Sequence, residues 1–167
     1  MSVQKHAEKF SAPRKDAAGR VQLVGLSLEE MQAVLAEHSL PNFRSKQIWN
    51  WIYQRGVTTF DAMGNLPKDL RAILTEHYAI DRPALITEQK SSDGTIKWLL
   101  GMSDGQQVEM VFIPTPKRGT LCVSSQVGCT LTCKFCHTGT QPLVRNLGPH
   151  EILQQVMFAK DHLEEWP

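Results

Sequence analysis

With 167 residues, 41% hydrophobic and 21% charged side chains and a formal net charge of +1, the chain has the make-up of a soluble globular protein that can bury one medium core or two small ones. It has no apolar run near the roughly 20 residues that cross a bilayer, and its N-terminal stretch is polar and charged without a signal-peptide core. A membrane-spanning or exported protein is therefore excluded by this reading, and a cytoplasmic one is expected.

In chain order, residues 1–22 mix Lys, Arg, Ser, Gly and Ala without periodicity and predict a flexible basic tail. Ser27-Leu28-Glu29-Glu30 is a capping box ahead of apolar Met31, Val34 and Leu35, which predicts a first helix over 28–38. Pro41 ends that region. Phe43, Ile48, Trp51 and Ile52 then recur at helical spacing until Gly56, and Pro67 opens a third helix carrying Leu70, Ile73 and Leu74. Residues 23–82 thus read as a small helical domain, in which Trp49, Trp51 and Tyr53 serve either as core or as stacking groups, core being favoured. After Pro83, three apolar runs are separated by Asp93-Gly94 and Asp104-Gly105, a strong hairpin signal. They predict a three-stranded antiparallel meander over 83–117, closed by Pro114 and Pro116. Leu121-Cys122-Val123 is then expected to begin a new strand, followed by a cysteine loop and a helix from about Pro149. Ile152, Val156 and Ala159 are expected to line one side of that helix, with Leu153 and Met157 beside them. The strand, loop and helix would form one βα unit, with the loop at the strand's C-terminal end, where such folds carry their chemistry.

All four cysteines lie between Cys122 and Cys136, and three of them, Cys129, Cys133 and Cys136, have the spacing C-x3-C-x2-C. In a chain without export signals, such a cluster reads as metal ligands or catalytic thiols before disulfides. A four-iron cubane normally takes four thiolates, so three local ones leave one iron open to a ligand from outside the protein. A zinc site completed by Cys122 or His137 is the principal alternative. Covalent haem at Cys133-Lys134-Phe135-Cys136-His137 is a weaker one, since it leaves Cys129 unexplained and demands export. Charge is unevenly distributed. Residues 41–72 carry Arg44, Lys46, Arg55, Lys68 and Arg71 against Asp61 and Asp69, and no acidic residue lies between Glu109 and Glu151, where Lys117, Arg118, Lys134 and Arg145 fall. Both an anionic cluster and RNA would be repelled by carboxylates placed there.

The cysteine spacing, with Phe135 before the last cysteine, is similar to the signature of radical S-adenosylmethionine (SAM) enzymes. The flanking residues Leu121 to Cys129 and Arg145-Asn146-Leu147 are more specific, and resemble the bacterial RNA adenine-C2 methyltransferase family, as do Phe43 to Tyr53, Asn65-Leu66-Pro67 and Val108 to Pro114. The resemblance covers nearly the whole chain but only part of the family protein. A full barrel takes about 250 residues, so the chain reads as the N-terminal portion of one, expected to be inactive alone.

The resemblance implies an α+β architecture: a three-helix accessory domain that binds RNA (23–82), a β-hairpin extension (83–117) and the start of a radical SAM (β/α)6-type partial barrel with its cluster loop (118–167). It implies a [4Fe-4S] cluster held by Cys129, Cys133 and Cys136, SAM bound with help from Phe135, and an electron donor such as flavodoxin. The substrates implied are 23S rRNA and tRNA, handled by a monomer. Glu109 matches the family's proton acceptor at the modified base. Cys122 matches the cysteine that forms a transient disulfide with a methylated cysteine to release product. A relative that methylates adenine C8 and confers antibiotic resistance, and a noncatalytic RNA-binding or zinc module, are the alternatives.

Overall fold

The computed structural model describes residues 15–16, 18–38, 40–131 and 138–166. The chain folds as two compact units, one formed by Arg14–Arg82 with Met157–Pro167 and the other containing Pro83–Val156.

The helical unit contains β1 (Val21–Gln22), α1 (Leu28–Ala36), α2 (Asn42–Tyr53), a 3-10 turn (Phe60–Ala62), α3 (Lys68–His77) and β2 (Tyr78–Ala79). The capping box forms as expected: the Glu30 N–H donates to Ser27 Oγ at 3.2 Å, and the Ser27 N–H donates to Glu30 Oε2 at 2.8 Å. Apolar side chains from every element, among them Leu23, Met31, Leu35, Ile48, Ile52, Leu74 and Met157, meet in one core. Complete burial of such a side chain stabilises by about 1.5–3 kcal/mol. Trp49, Trp51 and Tyr53 pack against this core, partly buried. Phe43, expected on the apolar stripe, is instead 56% exposed beneath the Arg44 guanidinium, because it lies in the first turn of α2, at the end of the stripe. The predicted tail also extends too far. Lys15 bridges to Val21, and β1 pairs in parallel with β2, drawn in by Arg20, whose guanidinium meets Asp16 at 2.8 Å and Asp81 at 3.0 Å.

The sheet unit is built on β3 (Ala84–Lys90), β4 (Ile96–Gly101), β5 (Gln107–Thr115) and β6 (Arg118–Cys122), all antiparallel in the order β3-β4-β5-β6. Gly94 and Gly105 turn the first two hairpins at φ of +85° and +82°, a backbone conformation open to glycine at little cost. The meander therefore has four strands where three were predicted. The segment expected to open a βα unit is its antiparallel edge, paired with β5 through Val111↔Cys122 and Phe112↔Leu121. Pro114 does not end the sheet because it lies beyond β4, whose last partner is Phe112, so its missing N–H interrupts no ladder on that side. Register puts Trp98, Leu100, Val108 and Met110 on one face, all buried; the opposite face carries Lys97, Leu99, Glu109, Val111 and Cys122.

After β6 the chain runs through β7 (Gln126–Val127), the cysteine loop, a 3-10 turn (Thr138–Thr140) and β8 (Arg145–Asn146), which pairs antiparallel with β7. It then enters α4 (Pro149–His162). The apolar side of α4 is buried only in part. Met157 and Ala159 are buried, but Leu153 and Val156 are 39% and 36% exposed, while the polar Glu151 and Gln155 lie inside. The physical reason is that both polar side chains find hydrogen-bond partners nearby.

Candidate active site

Cys122 ends β6 and Glu109 lies on β5, two residues from Val111, the cross-strand partner of Cys122. They are diagonal neighbours on one sheet face, a relation that sets two residues about 7–8 Å apart. Both are exposed, and Cys122 is a free thiol. Two contacts anchor Glu109. Its carboxylate takes an ion pair from Lys97 Nζ on β4 at 3.1 Å, and its carbonyl accepts from Ser124 Oγ at 2.7 Å. Ser124 is clamped in turn by the fully buried Gln155 of α4: the Ser124 N–H donates to Gln155 Oε1 at 2.9 Å, and Gln155 Nε2 donates to the Ser124 carbonyl at 3.0 Å. A buried amide satisfied on both sides keeps one geometry, since any shift would strand a polar group without water. Glu109 and the segment following Cys122 are thus tied to the same helix.

A cavity of about 500 Å³ opens beside this arrangement, lined by Leu99, Gln107, Glu109, Ser124, Gly128 and Gln141, among others. Its wall mixes glutamine amides and the Ser124 and Thr138 hydroxyls with apolar Leu99, Val108 and Val127, a lining suited to a flat, hydrogen-bonding ligand.

The β7–β8 pair forms the neck of the cysteine loop. At its entrance Gly128 takes φ +75°, and a Cβ there would lie 2.1 Å from the Pro142 carbonyl oxygen. Cys129 then bridges to Pro142, its N–H donating to the Gln141 carbonyl at 3.2 Å. The Cys129 sulfur accepts the Leu131 N–H at 3.3 Å. Cys133, Phe135 and Cys136 lie outside the described residues, as does His137. Among the described residues no three His, Cys, Asp or Glu side chains gather as a metal site. Replacing Gly128 with alanine should displace the returning strand and cost at least about 2 kcal/mol, because a forbidden φ is added to a backbone clash. Thermal denaturation of the variant measures it.

Below the loop, Arg145 of β8 is buried and fully committed. Its guanidinium reaches Glu151 at 2.7 and 2.8 Å and Asp104, in the β4–β5 turn, at 2.7 Å. Glu151 also accepts the Gly148 N–H at 2.9 Å, closing the N-terminus of α4. The hydrogen bond to Glu151 raises the Arg145 pKa against the opposing effect of burial. Burial pushes the Asp104 carboxyl upward, yet Arg145 and the Gln106 N–H together hold it below the ordinary carboxylate range. Sequence reasoning missed Lys97, Ser124, Gln155 and this triad. The one available signal was the Glu151/Gln155 i, i+4 pair on a helix otherwise read by its apolar residues.

Residues 21–80 match the family model described as the ribosomal RNA large subunit methyltransferase N-terminal domain. The dual-specificity RNA methyltransferase RlmN of Ruegeria pomeroyi is 56% identical over 159 residues, covering 93% of this chain and 40% of the relative. That of Zymomonas mobilis is 52% identical over 165 residues, covering 96% and 42%. A solved radical SAM methyltransferase from Sphaerobacter thermophilus superposes with a TM-score of 0.79 at 40% identity, covering 86% of this chain and 42% of that one. Over nearly its whole length the chain is similar to the N-terminal portion of RlmN proteins. It spans about two fifths of the length of these RlmN relatives. The donor set fits the iron–sulfur group that a radical SAM RlmN protein implies. Three cysteines share one short loop, and the described one, Cys129, receives a backbone N–H at its sulfur, the kind of contact that stabilises a metal-bound thiolate.

Proposed function

We propose that this chain carries the cluster loop, the proton acceptor and the product-release cysteine of a radical SAM enzyme that methylates C2 of adenosine in 23S rRNA and tRNA. The observation that carries this reading is the shared sheet face of Glu109 and Cys122, the first held by Ser124 and the second by its pairing with Val111, beside a cavity of about 500 Å³ that has room for a nucleobase. Cys129, Cys133 and Cys136 would hold a [4Fe-4S] cluster, with Phe135 beside it at the SAM site. When bound, cluster and SAM supply the radical chemistry that an electron-poor ring carbon requires.

The chain's own residues do the rest. The Glu109 carboxylate, oriented by Lys97, accepts the C2 proton of the methylated base. The exposed Cys122 thiol has the access required to attack the sulfur of a second cysteine that carries the methylated base, forming a disulfide as the carbon–sulfur bond breaks and its electron pair leaves with the base. The amides and hydroxyls of the cavity wall orient the ring and displace water. We further propose that the helical unit is the accessory RNA-binding domain, that the partial barrel begins beyond β6, and that an external flavodoxin-like protein delivers electrons to a monomeric enzyme.

Mass spectrometry of nucleosides from rRNA and tRNA of a deletion strain tests the reaction. Loss of 2-methyladenosine, restored by the gene, is expected. An unchanged level overturns the reading, and loss of 8-methyladenosine instead assigns the C8 chemistry.

A further inference from the structure

We propose that the open face of the β3–β6 sheet, from Glu109 to the tip of the β5–β6 hairpin, holds the single-stranded RNA flanking the target adenosine, with Lys117 and Arg118 meeting its phosphates. This rests on the reading above and deepens it by assigning the sheet a substrate surface separate from the helical unit.

Three observations carry it. The first is the asymmetry of the sheet. One face buries Trp98, Leu100, Val108 and Met110, whereas on the opposite face Thr87, Gln89, Glu109, Thr120 and Cys122 are exposed. The second is charge. By strand alternation Lys97 and Arg118 point to the open face, and its one carboxylate is Glu109, already paired with Lys97. Asp93, in the neighbouring turn, is occupied by Thr95. A cationic strip whose one carboxylate is neutralised by Lys97 complements a phosphate backbone.

The third is the construction of the hairpin. Beyond Phe112 the strands β5 and β6 continue as a two-stranded finger without β4. Thr115 Oγ1 accepts the Arg118 N–H at 3.2 Å and donates to the Arg118 carbonyl, which locks the Pro116-Lys117 turn. The Phe112 ring lies so close over Gly119 that a Cβ there would fall 2.2 Å from it, bracing the finger at its base. Thr115 lies six positions beyond Glu109, about 20 Å of strand, enough to follow several nucleotides away from the reacting base. A projecting ribbon normally needs an apolar partner to be stable. This one is short, braced and cationic, consistent with a polyanion as its occupant.

Fluorescence anisotropy of the chain with a short labelled single-stranded RNA tests the proposal against a Lys117→Ala/Arg118→Ala variant over a salt series. Both residues are exposed, so the melting temperature should not change. Affinity is expected to fall about tenfold near 100 mM salt, and the log–log salt slope to shrink by about 1.4, the value for two lost phosphate contacts on a single strand. Unchanged affinity and slope overturn the proposal, and RNA lost instead in an Arg44→Ala/Arg55→Ala variant assigns binding to the helical unit. Equal dependence of an acidic polypeptide on the finger also overturns it, in favour of a protein partner. If the unaltered chain binds no RNA, this surface assignment fails, while the deletion-strain nucleosides still judge the reaction.

Discussion

Replacing Arg145 with methionine is expected to destabilise the sheet unit by about 3–5 kcal/mol, the usual cost of removing one partner from a buried ion pair. Three elements meet at this guanidinium: the β4–β5 turn through Asp104, β8 through Arg145 itself, and the start of α4 through Glu151. Methionine fills much of the volume but leaves Glu151, 3% exposed, as a buried charge without its counter-ion. Changing Glu151 to methionine as well should recover part of the loss, since two apolar groups of similar size need no compensation. Urea melts of the single and double variants measure both effects. The network also predicts an acid limb. Because the folded Asp104 carboxyl has a lowered pKa, its contribution is present above the ordinary value of 3.8 and is lost as pH falls through the lower folded value. Arg145 is raised and stays charged across all accessible pH, so it adds no alkaline limb. Melting temperatures at falling pH should therefore drop more steeply in the unaltered chain than in an Asp104→Asn variant.

Changing Cys129 to serine should reduce anaerobically reconstituted iron from about four per chain to near none, because three thiolates are the minimum the loop offers for a cubane. The Leu131 N–H that contacts this sulfur would remain, but a hydroxyl is not a thiolate ligand. Cys122→Ser is the contrasting variant. Cys122 sits on the sheet face beside Glu109, so its loss should leave iron and sulfide unchanged. Under the zinc alternative, with Cys122 as fourth ligand, both variants would lose metal and the protein would be colourless. Metal analysis with Mössbauer spectroscopy distinguishes the outcomes.

Much of the local structure was legible because its causes are local. Ser27 and Glu30 are three residues apart and cap each other without outside help. Asp104-Gly105 turns a hairpin because the Asp104 carboxylate accepts the Gln106 N–H and glycine accepts a positive φ. Edges and faces were less legible. Pro114 suggested the end of a sheet, yet a proline beyond the reach of β4 interrupts nothing, and β6 could pair. On α4 the apolar residues implied one buried side, but Arg145 and Ser124 supplied partners that drew Glu151 and Gln155 inside and left Leu153 and Val156 toward solvent.

The sequence by itself determined the chemistry available to this protein, since three thiols at fixed spacing in one short loop are set by covalent connectivity. It also determined the turns and caps, whose hydrogen bonds span two or three residues. Only the tertiary structure decided that Glu109 shares a face with Cys122, that Lys97 pairs with it, and that Gln155 and Glu151 are buried. Whether a polar group can be buried depends on a partner that folding delivers from elsewhere in the chain, and a linear pattern does not contain that partner's position.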